Sequence, residues 1–90
     1  MLLATTTVEN VDHFLEVFGT AGAEKRGLHG SKGSTVFRDP AEANRVWAIF
    51  DWNEAGWAAF VADPDVPPIL KDAGHLDIPQ AAAFLGTYEA

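Results

Sequence analysis

Residues 45–60 read RVWAIFDWNEAGWAAF, and this stretch predicts a buried strand that turns directly into a helix. Apolar residues occupy almost every position of Val46–Trp52, as expected of a strand covered on both faces. Asn53 follows as an N-cap, and Trp57 lies four residues beyond it, the spacing of a hydrophobic staple. All three tryptophans lie in this stretch, so it is predicted to form part of the core or the wall of an apolar cavity.

The first quarter of the chain predicts another strand and another helix. Leu2–Val8 is rich in Thr and aliphatic residues, and both of its alternating faces are at least half apolar. Asn10 is a second N-cap candidate, and apolar residues follow it at helical spacing. Gly19 and Gly22 weaken this pattern, so we expect the helix to end between them and Lys25.

The remaining segments predict two further strands and the end of the second helix. Ser34–Arg38 is a short strand, and residues 39–44 connect it to the tryptophan-containing strand as a hairpin. Pro64 stops the second helix. A short helical turn over residues 69–73 follows, and residues 81–88 are predicted to form the last strand because of their place in the element order.

The elements therefore follow one another as strand, helix, strand, strand, helix, strand. This order predicts a ferredoxin-like α+β fold, in which a four-stranded antiparallel sheet carries both helices on one face. The first and third strands are apolar on both faces, so something else must cover the second face. Pairing two sheets across a twofold axis is the simplest solution, and we expect a homodimer of one domain spanning residues 1–90.

The composition disfavours several classes of partner. The chain has 13 acidic and six basic residues, a formal net charge of −7, and Lys25–Arg26 is its only adjacent basic pair. Binding to nucleic acid or to an anionic membrane surface needs clustered Lys and Arg, so neither is expected. No cysteine is present, which excludes disulfides and thiolate catalysis. The N-terminus has no basic region or long apolar run typical of a signal peptide, so a cytoplasmic location is expected.

The central stretch resembles the dimeric α/β-barrel superfamily, which includes antibiotic-biosynthesis monooxygenases, polyketide cyclases and stress-responsive barrel proteins. The likeness lies in residues 47–53 (WAIFDWN), 57–60 (WAAF) and 62–65 (ADPD), and the element order extends it over the whole domain. The resemblance implies a homodimeric barrel of two paired sheets. It also implies chemistry on aromatic or polyketide-like molecules.

The resemblance also identifies a candidate catalytic position. Cyclases and several other members of the superfamily carry a histidine just after the helix-ending proline, where it can act in proton transfer. The matching position here is Asp65. An exposed aspartate with a pKa near its usual value of about 3.9 is a poor base at neutral pH unless burial raises that value.

The three histidines fit no metal motif, because His13, His29 and His75 are 16 and 46 residues apart and no cysteine supplements them. We expect His13 to be solvated on the first helix. His29 lies in the glycine-rich segment Gly27–Gly33, either as a loop residue or in a lid over a pocket. His75 follows Gly74 and is the best candidate for a general acid or base.

Asp51 is a further candidate because it alternates with tryptophans in the third strand. It either pairs with Arg38, Arg45 or a backbone donor, lies at the seam between two subunits, or orients a substrate hydroxyl.

The aromatic residues of the second half have two interpretations each. Trp47, Trp52, Trp57 and Phe60 form either the core or the substrate-binding wall of a cavity. Tyr88, on the predicted last strand, contacts either a ligand or the partner chain.

Three functional hypotheses follow. The first is a small enzyme, free of metal, flavin or other cofactor, that oxygenates or cyclises an aromatic or polyketide-like molecule. His75, Asp65 or Tyr88 would move the proton, and a dry pocket between helices and sheet would hold the substrate. The second is a non-catalytic homodimer that binds an apolar small molecule or a protein. The third is a structural partner of another enzyme.

Overall fold

The computed structural model describes all residues, 1–90, and has one antiparallel sheet with strand order β2-β3-β1-β4. The strands are β1 (Leu2–Thr7), β2 (Ser34–Arg38), β3 (Arg45–Phe50) and β4 (Gln80–Ala81). The helices are α1 (Val11–Val17), α2 (Ala23–Leu28), α3 (Glu54–Ala62) and α4 (Val66–Asp72). The arrangement is the predicted ferredoxin-like α+β fold. None of these helices is both long enough and apolar enough to cross a bilayer.

The core lies between the helices and one face of the sheet. In the β1–β3 register, Leu2 lies opposite Phe50 and Ala4 opposite Ala48, and all four side chains are buried. Phe60 of α3 and Val66 of α4 pack against them. The helices therefore cover the face predicted from the alternation of residues 46–52, the one that carries Val46, Ala48, Phe50 and Trp52.

Two asparagines begin the principal helices as predicted. Asn10 Oδ1 accepts a hydrogen bond of 2.9 Å from the amide of His13 at the start of α1. Asn53 Oδ1 accepts one of 2.7 Å from the amide of Gly56 at the start of α3. Each side chain satisfies a backbone donor that the first helical turn leaves free. The predicted end of α3 is also confirmed, since the helix stops at Ala62, just before Pro64.

The prediction that the first helix ends before Lys25 is wrong. The backbone continues from α1 through a π-helical segment, Phe18–Gly22, into α2 and reaches Leu28. A hydrogen bond within this helical run spans the wide turn, since Arg26 Nη2 donates to the carbonyl oxygen of Phe18 over 2.8 Å. We predicted that the following loop begins at Gly27, but in the structure it begins at His29, after α2 has ended at Leu28.

The predicted last strand over residues 81–88 is also wrong. Strand β4 is only Gln80–Ala81, and the final backbone hydrogen bond to β1 runs from the amide of Ala82 to the carbonyl of Leu3. Residues 83–90 have no regular structure and are exposed. This segment contains Gly86 and has no alternating apolar pattern, so within one chain it buries nothing that would hold it against β1.

The second face of the sheet is not covered within one chain. Leu3 and Phe37 are exposed, and Trp47 and Ile49 are half-buried. The register places Leu3 beside Ile49 and Trp47 beside Phe37, so these residues form one continuous apolar surface, which we call the open face. We expected both faces of these strands to be covered. Within a single chain only the face toward the helices is covered.

Trp52 joins β3 to α3 and to the end of α2. Its indole Nε1 donates a hydrogen bond of 2.9 Å to the carbonyl of His29, and its ring packs edge-on against Trp57 and Phe60. The indole lies directly against Gly56, where a Cβ atom would overlap it and approach the His29 carbonyl oxygen to 2.6 Å. The tryptophan can occupy this position only because residue 56 has no side chain.

Substituting Gly56→Ala is therefore expected to destabilise the fold, although alanine normally favours helices over glycine by about 1 kcal/mol. The added methyl group would displace Trp52, and overpacking of this kind costs about 1–3 kcal/mol. Gly19→Ala is the matched control, since no atom lies within 4 Å of the place its Cβ would take. Urea unfolding should show a lower free energy of unfolding for the first variant and an equal or higher one for the second. If both substitutions raised the free energy of unfolding equally, the close approach of the Trp52 indole to Gly56 would be contradicted.

Candidate functional site

An apolar cavity of about 60 Å³ lies between the helices and the covered face of the sheet. Twelve of its 18 lining residues are hydrophobic. Five of the lining residues are aromatic and come from three regions: Phe14 and Phe18 from the first helical region, Trp57 and Phe60 from α3, and Phe50 from β3. A ligand here would be enclosed by rings and largely shielded from water.

The aromatic wall is held by ring-to-ring packing. Trp57 and Phe60 lie with ring centres 6.1 Å apart and an interplanar angle of 29°, while Phe50 and Trp57 are also 6.1 Å apart. Trp52 packs behind Trp57 at 5.7 Å without lining the cavity itself. The structure therefore divides the predicted aromatic set: Trp57 and Phe60 face the cavity, and Trp52 supports them from the core.

His75 supplies a titratable ring to the wall of this cavity. Its Nδ1 lies 2.9 Å from the hydroxyl oxygen of Thr6, and that hydroxyl lies 2.8 Å from Oδ1 of Asp77. The same carboxylate oxygen accepts a 2.8 Å hydrogen bond from the amide of Thr7. His75, Thr6 and Asp77 thus form a hydrogen-bonded chain, which we call the proton chain, from the cavity wall to the rim.

The proton chain fixes which nitrogen of His75 carries the proton. A carboxylate only accepts hydrogen bonds, so the Thr6 hydroxyl must donate its one proton to Asp77. The same hydroxyl oxygen then accepts from Nδ1–H of His75. The neutral ring is therefore protonated on Nδ1, and Nε2 keeps a free lone pair with no partner in the chain. A second group that fixes the tautomer of a histidine is a recurring feature of general bases.

Two pKa shifts accompany this geometry. Burial lowers the pKa of His75 below its ordinary value of 6.5, since the charged ring would lose its hydration there. The Thr7 amide, together with the Thr6 hydroxyl, holds the pKa of Asp77 below its ordinary 3.8. At neutral pH, His75 is therefore neutral and Asp77 is ionised, which is the combination the proton chain requires.

Arg26 is a site residue that the sequence reasoning missed. The residue is 8% exposed and lines the cavity, and its guanidinium carbon lies 3.7 Å from the ring centre of Phe18. In the sequence it is half of a basic pair on a helix, which is typical of a solvated surface. Regular helical spacing from Phe14 and Phe18 points to Lys25, so it would not have identified Arg26. The π-helical segment Phe18–Gly22 shifts the apolar face to position 26.

Thr6 and Asp77 were missed as well, because they are 71 residues apart in sequence. Nothing local connects a threonine in a strand with an aspartate in a loop. Only the antiparallel contact between the end of β1 and the segment after α4 brings them together, as the Val8–His75 bridge shows.

The other two predicted catalytic residues, Asp51 and Asp65, do not lie at the cavity. Asp51 is exposed, makes no side-chain hydrogen bond or ion pair, and borders a shallow depression of about 350 Å³ with only three hydrophobic residues among its eight. Asp65 has a side chain 75% exposed and forms an ion pair of 3.1 Å with Lys25. Neither pairing predicted for Asp51, with Arg38 or Arg45, is present. Solvation explains both positions, since a free carboxylate is most stable in water.

Three predicted binding residues also lie elsewhere. Trp47 is on the open face, where its Nε1 donates a 2.8 Å hydrogen bond to Asp39. Tyr88 is 85% exposed in the irregular C-terminal segment. His29 lies at the end of α2, and its Nε2 lies 2.8 Å from Oδ2 of Asp63, within hydrogen-bond distance and away from the cavity lining.

The ion pairs around Asp63 connect α2 to the end of α3. Asp63 accepts from His29 and from Lys25, whose Nζ is 3.0 Å away, and these contacts hold the pKa of Asp63 well below its usual range. No three His, Asp or Glu side chains are grouped as metal ligands would be.

Comparison with solved structures identifies relatives in fold. The cofactor-independent oxygenase SnoaB from Streptomyces nogalater superposes with a TM-score of 0.68 at 19% sequence identity, covering 96% of this chain and 92% of SnoaB. An antibiotic biosynthesis monooxygenase superposes with a TM-score of 0.64 at 13% identity, covering 97% of both chains. Protein Atu4242 from Agrobacterium tumefaciens gives a TM-score of 0.60 at 17% identity over 90% of this chain and 86% of its own.

These likenesses establish the fold of the antibiotic-biosynthesis monooxygenases, as the sequence resemblance predicted. At such low identities they establish nothing finer. The sequence matches no protein-family model and no curated protein.

The proton chain predicts how stability depends on pH. Because burial lowers the pKa of His75 in the folded state, the unfolded chain binds the proton more readily, and acid favours unfolding. The free energy of unfolding should therefore fall as the pH decreases through about 6.5. The contribution of Asp77, whose pKa is lowered from 3.8, is lost only in more acidic solution.

Thermal unfolding of the wild type and of His75→Gln between about pH 7.5 and about pH 5.5 measures this effect. The wild type should lose more of its melting temperature over that interval than the variant, which has no titrating ring at position 75. Since His13 and His29 remain in both proteins, their contributions cancel in the comparison. Parallel pH curves would contradict a buried neutral His75.

Proposed function

We propose that this protein is a cofactor-independent oxygenase of a hydroxylated aromatic small molecule, with His75 as the general base. The observation that carries the proposal is the proton chain at an apolar cavity, with Nε2 of His75 unpartnered. A base with a free lone pair at a water-poor cavity is suited to taking a proton from a phenol or an enol. The fold of SnoaB, which is described as a cofactor-independent oxygenase, supports the same reaction type.

The reaction balances without an external reductant. His75 removes the phenolic proton, and the electron-rich phenolate transfers electrons to molecular oxygen, which bonds to a ring carbon as a hydroperoxide. The O–O bond then breaks while the hydrogen on that carbon leaves as a proton, which gives a carbonyl and water, so that a phenol and O2 become a quinone and water. All four electrons come from the substrate, and the proton held by His75 returns with the departing water.

The proton chain supports the protonated state of His75 during this cycle. When Nε2 takes the proton, the ring becomes a cation, and the ionised Asp77 stabilises it through the Thr6 hydroxyl. The aromatic wall serves a different purpose, since Trp57 and Phe60 present flat apolar surfaces to a flat substrate. Exclusion of water by this wall protects the reactive anion from reprotonation.

The cavity volume limits the substrate. A dry cavity that holds benzene measures about 150 Å³, whereas this one measures about 60 Å³. The substrate must therefore extend into the mouth or displace half-buried lining residues such as Trp57 and Leu70.

Oxygen uptake with a panel of polyphenols tests the proposal. His75→Gln should lower kcat by about 100-fold or more, as loss of a general base does. Thr6→Val, which breaks the proton chain and leaves the ring, should lower kcat less and shift its pH profile. His13→Gln is the matched control, because His13 lies outside the cavity and bonds the carbonyl of Asp72.

Asp51→Asn and Asp65→Asn should leave the rate unchanged, since both carboxylates lie away from the cavity. Equal activity of wild type and His75→Gln would contradict the assignment of the base. Binding of the phenols without any oxygen uptake would contradict the proposal of an oxygenase and would favour the alternative of a non-catalytic binding protein.

We also propose that two copies pair through the open face. Leu3, Phe37, Trp47 and Ile49 form an apolar surface that nothing in the chain covers. The irregular C-terminal segment, residues 82–90, carries Phe84, Leu85 and Tyr88 at exposures of 67%, 91% and 85%. Every copy of the chain carries the open face and this apolar C-terminal segment. A twofold dimer can therefore bury the two surfaces of both copies at once, which favours a second copy as the partner.

Light scattering tests the pairing. The wild type should have twice the monomer mass of 9.7 kDa, and Ile49→Glu should reduce it to the monomer mass, because a carboxylate would then be buried at the centre of the interface. Leu28→Glu is the control, since Leu28 is 72% exposed on α2, away from the open face. A wild type of 9.7 kDa at micromolar concentration would contradict the proposal.

A further inference from the structure

Arg26 is a buried cation without an acidic partner. Its side chain is 8% exposed, and none of the 13 carboxylates of the chain forms an ion pair with it. Of the five N–H donors of the guanidinium, only one on Nη2 makes a hydrogen bond, to the carbonyl of Phe18. Burial lowers the pKa of Arg26 to about 10, which still leaves it charged at neutral pH.

Such a residue is costly for stability alone. A buried charge with no counter-charge makes folding less favourable, and an apolar side chain of the same length would fill the space at less cost. Contact with the faces of Phe18 and Phe50, at 3.7 and 5.8 Å from their ring centres, offsets part of this cost. This contact with the rings provides no hydrogen-bond acceptor, so the remaining N–H donors of Arg26 have no partner within the chain.

The unused donors face accessible space. No side-chain nitrogen of the protein is both sealed from solvent and unbonded, and Arg26 lines the cavity. Gly22 leaves room for the guanidinium, because a Cβ at position 22 would lie 2.9 Å from Nη1. The π-helical segment and its glycine therefore place a planar, charged donor group beside the aromatic wall.

Arg26 and His75 lie on different parts of this wall. The guanidinium packs on Phe18 and the imidazole on Phe14, and these two rings are 5.3 Å apart. A molecule in the cavity can therefore contact the guanidinium on the Phe18 side and the imidazole on the Phe14 side.

We propose that the cavity selects an aromatic anion and that Arg26 binds its oxyanion, a carboxylate or an ionised phenol, through the free N–H donors. The proposal rests on the cavity being the ligand site of the proposed function. An oxyanion would supply the counter-charge that the folded chain lacks. The two oxygens of a carboxylate match the two parallel N–H groups of a guanidinium, and the single oxygen of an ionised phenol can accept from one or both of them.

Binding of benzoate and benzamide, two planar molecules of the same size that differ in charge, tests the proposal. Indole N–H signals in NMR titrations report the site, because Trp57 lines the cavity and Trp47, on the open face, serves as an internal control. Benzoate should shift the Trp57 signal with a Kd about tenfold lower than that of benzamide, which corresponds to about 1.4 kcal/mol. The Trp47 signal should not move.

Arg26→Met should abolish the preference for benzoate and leave the Kd of benzamide within about twofold, because the methionine fills the same space without charge. Arg38→Met is the matched control, since Arg38 is an exposed arginine on β2. If Arg26→Met does not fold, Arg26→Lys should reduce the preference at least about threefold, as a lysine lacks the planar pair of donors.

Equal affinities of benzoate and benzamide, or an unchanged preference in a folded Arg26→Met or Arg26→Lys variant, would overturn the role of Arg26. Either result would leave the cavity and His75 as proposed. Failure of both molecules to shift the Trp57 signal would instead overturn the cavity as a ligand site, and the proposed function with it.

Discussion

The structure depends on the contact between the Trp52 indole and the backbone of Gly56. This contact fixes the angle at which α3 leaves β3, because a side chain at position 56 would overlap the indole. The hydrogen bond from Trp52 to the carbonyl of His29 ties the end of α2 to the same point. On α3 placed in this way, Trp57 and Phe60 turn toward the sheet and line the cavity.

Local patterns predicted the parts of the fold whose causes are local. The alternation over residues 46–52, the two asparagine caps and Pro64 each act within a few residues, and the structure has them as predicted. The first helix was predicted too short because Gly19 and Gly22 were expected to end it, whereas both lie in a π-helical segment that continues the backbone into α2. Residues 81–88 were predicted as a strand from element order alone, without an apolar alternation to support it.

The candidate site shows the same division. His75 could be chosen from sequence because it follows a glycine that ends a helix, a local feature, and Gly74 does have a positive φ of 80°. Its partners, Thr6 and Asp77, could not be chosen, since only the folded sheet brings them together. Asp65 was selected by resemblance, but the ion pair with Lys25 keeps it at the surface. The candidate site is therefore built by contacts between residues far apart in sequence, such as those of His75 and Asp77 with Thr6, and not by a local motif.

The short segment between α4 and β4 has a mechanical consequence. His75 and Asp77 lie on the same few residues that connect the last helix to the shortest strand of the sheet, which has only two residues. Asp77 and the amide of Leu76, which donates to the carbonyl of Thr7, anchor this connector to the end of β1. Val8, which is fully buried, pairs with His75 as well. The position of the imidazole is therefore set by the end of β1, so loss of the two-residue pairing of β4 would leave the ring in place.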